Sequence, residues 1–145
     1  MNLHYHPHIL HNLHIEQSFS FLQSKNRAST YGLALLPADN INTRIIFHLN
    51  DYERLQKLKL NYFTIDHKYT FEQDMHAQYE DITSDYNVFN LLVGLRFTQK
   101  IHCVLGVMNL LNAEYSPHTS RLRGVSQNGV PNPGRSFNIN MKYEK

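Results

Sequence analysis

The carboxyl-terminal run Ser136-Phe137-Asn138-Ile139-Asn140-Met141-Lys142-Tyr143 alternates without exception. Phe137, Ile139, Met141 and Tyr143 point one way, and Ser136, Asn138, Asn140, Lys142 and Glu144 the other. Period two is the mark of a β-strand with one apolar and one wetted face. The same rhythm recurs upstream. In residues 13–21, Leu13, Ile15, Phe19 and Phe21 share a phase with Gln17. In residues 40–49, Thr43, Ile45, Phe47 and Leu49 oppose Asn42, Arg44, Ile46 and His48. In residues 88–97, Phe89, Leu91, Val93, Leu95 and Phe97 oppose Asn90, Leu92, Gly94 and Arg96. Residues 58–69 are apolar on both phases near Phe63 and Ile65, so periodicity leaves their register open. Residues 101–111 and the closing run bring the expected count to six strands.

The connections alternate in length. Residues 23–39, 71–86 and 113–135 are long and polar, whereas 50–55 and 98–100 are short. Transmembrane barrels of the outer-membrane type have this asymmetry, with long loops outside and tight turns on the periplasmic side. A strand of about ten residues reaches roughly 33 Å at about 3.3 Å each. Tilted by about 40°, it spans roughly the 25 Å apolar band of such barrels. Arg44 and Arg96 both fall on the polar phase, and an Arg facing mid-bilayer lipid costs about 2–4 kcal/mol.

Composition agrees. Nine Tyr and eight Phe favour strands over helices. A mean hydropathy of −0.47 excludes a helical membrane protein, but a barrel strand wets half its side chains and escapes that test. The formal charge of +2 is too small to imply a nucleic-acid partner. One cysteine, Cys103, permits no internal disulfide. The amino end, Met1-Asn2-Leu3-His4-Tyr5-His6, has neither the basic start nor the apolar core of an export signal. Six strands are also too few to close a transmembrane barrel, for which about eight is the observed minimum, and open edges in lipid leave backbone groups unsatisfied. The expectation is a chain whose front is missing.

Three pieces ahead of the last strand carry a resemblance. Asn109-Leu110-Leu111-Asn112-Ala113-Glu114-Tyr115 is followed by His118-Thr119-Ser120-Arg121-Leu122 and then by Asn132-Pro133-Gly134-Arg135. In order and spacing this ending resembles the carboxyl terminus of TonB-dependent outer-membrane receptors. There a penultimate strand finishes in Asn-Leu-x-Asn-x-x-Tyr, a loop carries His-x-Ser-Arg-Leu, and Asn-Pro-Gly-Arg opens the final strand of a barrel of about 22 strands. One departure is plain: that family usually finishes on an aromatic residue, whereas here Glu144-Lys145 follow Tyr143.

The resemblance implies an all-β, antiparallel up-and-down meander of about six strands, an open fragment of a large transmembrane β-barrel. Residues 1–145 would be its partial carboxyl-terminal domain, with the plug domain and earlier strands absent. It implies a bacterial outer-membrane location, with lipid and lipopolysaccharide as surroundings. A TonB energy-transducing complex would act through the missing amino-terminal part. The cargo would be a scarce nutrient, an iron-siderophore or other metal complex. Arg44, Asn90, Arg96, Asn138 and Asn140 would line the lumen. Tyr115, His118, Arg121 and Arg123 in the last outer loop could contact the ligand by charge-assisted hydrogen bonds, although packing of loop on loop is the commoner use of such residues.

Read apart from the resemblance, His4, His6 and His8 form a candidate metal site, because neutral imidazole suits Zn, Cu or Ni. On a strand they would line one face at about 7 Å intervals and could share an ion only if the backbone bends. The plainer reading is a polar turn around Pro7. Glu72, Asp74, Glu80, Asp81 and Asp85 match no Ca²⁺ loop. No phosphate loop, nucleophile elbow, Cys-x-x-Cys or His-Glu-x-x-His is present, so neither enzyme chemistry nor a cofactor is expected. The rival architecture is a small closed β-barrel that binds a ligand or metal. It would need residues 31–36 and 74–79 as two further strands.

Overall fold

The computed structural model describes all residues except 6, 8–10, 25–31, 50–56, 58, 76, 79, 121–129 and 145. Seven strands follow one another as an antiparallel meander: β1 Asn2–Tyr5, β2 Leu13–Ser20, β3 Asn40–His48, β4 Leu60–Thr70, β5 Tyr86–Arg96, β6 Ile101–Met108 and β7 Ser136–Tyr143. Their order in the single sheet is their order in the chain, and β1 and β7 stand at its two edges. The expected meander is therefore present, one strand longer than the alternation suggested. The addition is β1, four residues at the start of the His-rich stretch, paired Asn2 to Ser18 through Tyr5 to Ile15. The small closed barrel finds no support. Among the described residues of 31–36 and 74–79 there is no strand, and the sheet does not join edge to edge.

Register sorts the side chains into two unlike faces. One row crosses every strand as Tyr5, Ile15, Ile45, Ile65, Leu91, Val107 and Phe137, each directly opposite the next. One residue away on each strand, and so on the opposite face, the row reads His4, Glu16, Arg44, Asp66 and Asn90. A slip of one residue in any pairing would exchange the two rows. β4, whose phase the sequence left open, is settled by its neighbours: Phe63 and Ile65 lie opposite Phe47 and Ile45 on the apolar face. Phe47 and Phe63 stack with ring centroids 5.4 Å apart, the kind of cross-strand contact that contributes about 0.2–1 kcal/mol.

Among the described residues no second layer of strands or helices packs on either face of the sheet. Among the described hydrophobic residues only Leu36, Leu49, Val88 and Cys103 are buried, and none is fully sealed. Phe137 is 75% exposed, Ile139 70% and Met141 72%. A soluble sheet of this size needs a second layer against its apolar side. No helix among the described residues is long and apolar enough to cross a membrane.

Turn chemistry explains where strands stop. At the β5–β6 turn the Thr98 hydroxyl accepts the Lys100 and Ile101 N–H groups at 3.2 and 3.0 Å. After β6, Asn109 and Asn112 adopt left-handed backbone, φ 51° and 54°, where Asn is among the few tolerated side chains. The Asn109 carboxamide bonds Ala113 twice, accepting its N–H and donating to its carbonyl, both at 2.8 Å. Gly94, opposite Tyr62, leaves room for that tyrosine's ring to lie over it.

Candidate functional site

Two arrangements on this scaffold bring polar groups together: a ladder across the polar face and a cluster joining the long connections at one end of the sheet.

At the centre of the ladder, the Arg44 guanidinium donates from Nε to Asp66 Oδ1 at 2.6 Å and from Nη2 to Oδ2 at 3.2 Å. Glu16 flanks Arg44 on the other side, and His4 Nδ1 lies 3.7 Å from Glu16 Oε1. Asn90 closes the row and accepts the Asn109 backbone N–H at 2.9 Å. Glu16, Arg44 and Asp66 alternate in sign along the row, and Asp66 holds Arg44 directly. A groove of about 490 Å³ runs over it, lined by His4, Glu16, Asn42, Arg44, Asp66 and Lys68 among others. Asn138, Asn140 and Arg96, expected toward the lumen, share this face of the sheet. Asn138 lies opposite Gly106, with its carboxamide over the glycine, and Asn140 lies opposite Val104. Arg96 ends β5 opposite His102.

The second arrangement centres on His118, buried in the last long connection at 3% exposure. Its Nδ1 is 2.7 Å from the Thr83 hydroxyl, and its Nε2 is 3.5 Å from Glu80 Oε2. Glu80 in turn accepts the Leu35 N–H at 2.8 Å and the Ala77 N–H at 2.9 Å. Gln73, which bridges to Thr83, donates to the carbonyls of Leu36 and Pro37 at 3.1 and 3.2 Å. Three connections far apart in sequence are thus tied by one histidine, one carboxylate and one amide. Burial alone would push the Glu80 carboxyl up. The Ala77 and Leu35 N–H groups and His118 outweigh it and hold it below the ordinary carboxylate range.

Beside this knot, Tyr115 stacks on Tyr86 with centroids 4.5 Å apart. The pair borders a recess of about 540 Å³ also lined by Lys68, Asn90, Met108 and Asn132. Of the residues expected to meet a ligand, Tyr115 faces this recess and His118 lies inside the knot. Arg121 and Arg123 lie outside the described residues. Of the amino-terminal histidines, His4 joins the ladder, whereas His6 and His8 lie outside the described residues. No cluster of three or more metal-ligating side chains occurs among the described residues. Glu80, which the sequence marked only as one of five acidic residues, and Gln73 were missed because Leu35, Leu36, Pro37 and His118 reach them from other connections.

No family model matches the chain, and no curated protein matches it either. A solved structure does. Copper transporter OprC aligns with a TM-score of 0.77 at 19% identity, over 91% of this chain. The fold is that of a barrel segment. The aligned portion is 21% of OprC, so the chain spans about a fifth of that protein's length. At this identity the likeness speaks for architecture alone. It agrees with an open, single-layer meander whose two faces differ as sharply as these do.

Proposed function

We propose that this chain is the carboxyl-terminal wall of a TonB-dependent outer-membrane transporter. Its apolar row faces lipid, and its charged ladder faces the aqueous lumen. The observation that carries the reading is the unbroken apolar row from Tyr5 to Phe137, which no second layer among the described residues covers. A lipid environment satisfies it, because half of every barrel strand belongs against hydrocarbon. Unpaired edges on β1 and β7 call for further strands, since backbone groups exposed to hydrocarbon each cost several kcal/mol. Aromatic rings at the long-connection end fit a membrane-interface girdle: Tyr69 and Phe71 lie 4.7 Å apart, and Phe21 is 6.4 Å from Phe71.

In this reading the three long connections are external and meet lipopolysaccharide, and the short turns are periplasmic. The cargo is a metal complex, an iron chelate or a copper species. Copper stands beside iron in this proposal because the solved neighbour is itself a copper transporter. Tyr115 and the recess beside it form the external contact surface, and Arg121 and Arg123, close in sequence, are the cationic residues proposed to contact the ligand. The chain is a wall and carries no reaction.

Deleting the codons for residues 109–145 from the native gene tests the reading, with uptake of labelled iron and copper chelates followed in energised and de-energised cells. Loss of energy-dependent uptake of one of them supports it. Unchanged uptake of every chelate, with the product found in the soluble fraction, contradicts it.

A further inference from the structure

His14 on β2 and His48 at the end of β3 are diagonal neighbours on the polar face, because His14 lies opposite Ile46. Their ring centroids are 4.9 Å apart, with the rings nearly perpendicular at 73°. A ring nitrogen ligates Zn²⁺ at about 2.0–2.1 Å, which puts the metal about 3.2 Å from the ring centroid. Two imidazoles at right-angled to tetrahedral positions on one ion therefore have centroids about 4.5–5.2 Å apart. The observed separation falls inside that interval. From this we propose that His14 and His48 form a two-imidazole site for a borderline divalent transition ion, Cu²⁺ or Zn²⁺, at the short-turn end of the polar face.

The backbone fixes the pair. The His48 N–H donates to the Asn12 carbonyl at 2.8 Å, and the Leu49 N–H donates to the Asn61 carbonyl at 2.8 Å. The end of β3 is thereby held against both neighbouring connections. Tyr62 walls the site on the β4 side, its ring 6.4 Å from that of His48. Both histidines are half-buried, so little side-chain freedom is lost on binding. Imidazole is the ligand these ions accept from a neutral, uncharged site.

Two protein ligands leave at least two coordination positions for water or for atoms of a chelate, so the ion is held exchangeably. The site lies at the opposite end of the sheet from the His118 cluster and is distinct from the recess beside Tyr115. Its metal binding does not depend on the transport reading, because the pair belongs to this chain alone.

The experiment is Cu²⁺ titration of the full chain in detergent micelles, read by electron paramagnetic resonance and equilibrium binding. The starting variant replaces His4, His6, His8 and His11 with Gln, which removes the other amino-terminal imidazoles. It is expected to keep one Cu²⁺ with coupling to two nitrogens. Adding His14→Gln or His48→Gln is expected to weaken binding by about tenfold or more, the least that loss of a direct ligand should cost. In the unsubstituted chain, Cu²⁺ is also expected to shield His14 and His48 from an imidazole-acylating reagent, as mapped by mass spectrometry, so the test survives a variant that fails to fold. Loss of the Cu²⁺ signal in the starting variant, unchanged affinity in His14→Gln, or equal acylation of both histidines with and without Cu²⁺ would each overturn the site.

Discussion

The Asn112 side-chain oxygen accepts the backbone N–H of Arg135 at 2.8 Å. This bond joins the segment that ends β6 to the one that opens β7. Asn112 Oδ1 also occupies the space that a Cβ on Gly134 would need, 2.6 Å away. The glycine is what lets the two segments approach. Two of the three motif pieces legible at the carboxyl end are therefore halves of one contact.

Replacing Asn112 separates its two contributions. Asn112→Gly keeps the left-handed backbone and loses the bond, for about 1 kcal/mol. Asn112→Ala loses the bond and strains the backbone, for about 2 kcal/mol or more. Denaturant unfolding in micelles is expected to rank Ala below Gly, the reverse of the order seen on a strand.

Tyr62 and Gly94 form a second interlocked pair. Gly94→Val forces the tyrosine ring off the glycine and is expected to cost about 1–3 kcal/mol. In a Tyr62→Ala background the same change should be close to neutral, because the space is vacant and Val suits a strand. A double-mutant cycle measures the difference.

The pH response should come from the connections. Glu80 has a folded pKa below its unfolded one, so its contribution is fully present above the ordinary carboxylate value of 4.5. It is lost as pH falls from there through the folded pKa. Amide exchange at Leu35 and Ala77, corrected for intrinsic rates, is expected to accelerate over that window while the β3–β5 amides stay protected. Glu80→Gln should flatten the response.

Alternation located four of the six expected strands, residues 13–21, 40–49, 88–97 and 136–143, because each has one apolar and one polar phase. The resemblance grouped Arg44, Asn90, Arg96, Asn138 and Asn140, and strand register puts them on one face. β1 escaped because four residues next to a proline are too few to show a period. The register of β4 escaped because Phe63 and Thr64 sit beside apolar residues of either phase, and only pairing with β3 and β5 resolves it. The His118 knot and the His14–His48 pair escaped for one physical reason. Each is assembled from segments brought together by sheet order, and nothing local in the chain records that proximity.

Ile45 and Ile46 are the same residue type, adjacent on β3, and face opposite ways: Ile45 lies opposite Ile15 and Ile65, Ile46 opposite His14 and Thr64. Arginine at each, with unfolding free energy measured in lipid vesicles, asks directly which side of the sheet meets hydrocarbon. With the Ile45 row toward lipid, Ile45→Arg is expected to cost about 2–4 kcal/mol and Ile46→Arg under about 1 kcal/mol. Equal costs at the two positions, or a larger cost at Ile46, would rule out a lipid-facing Ile45 row.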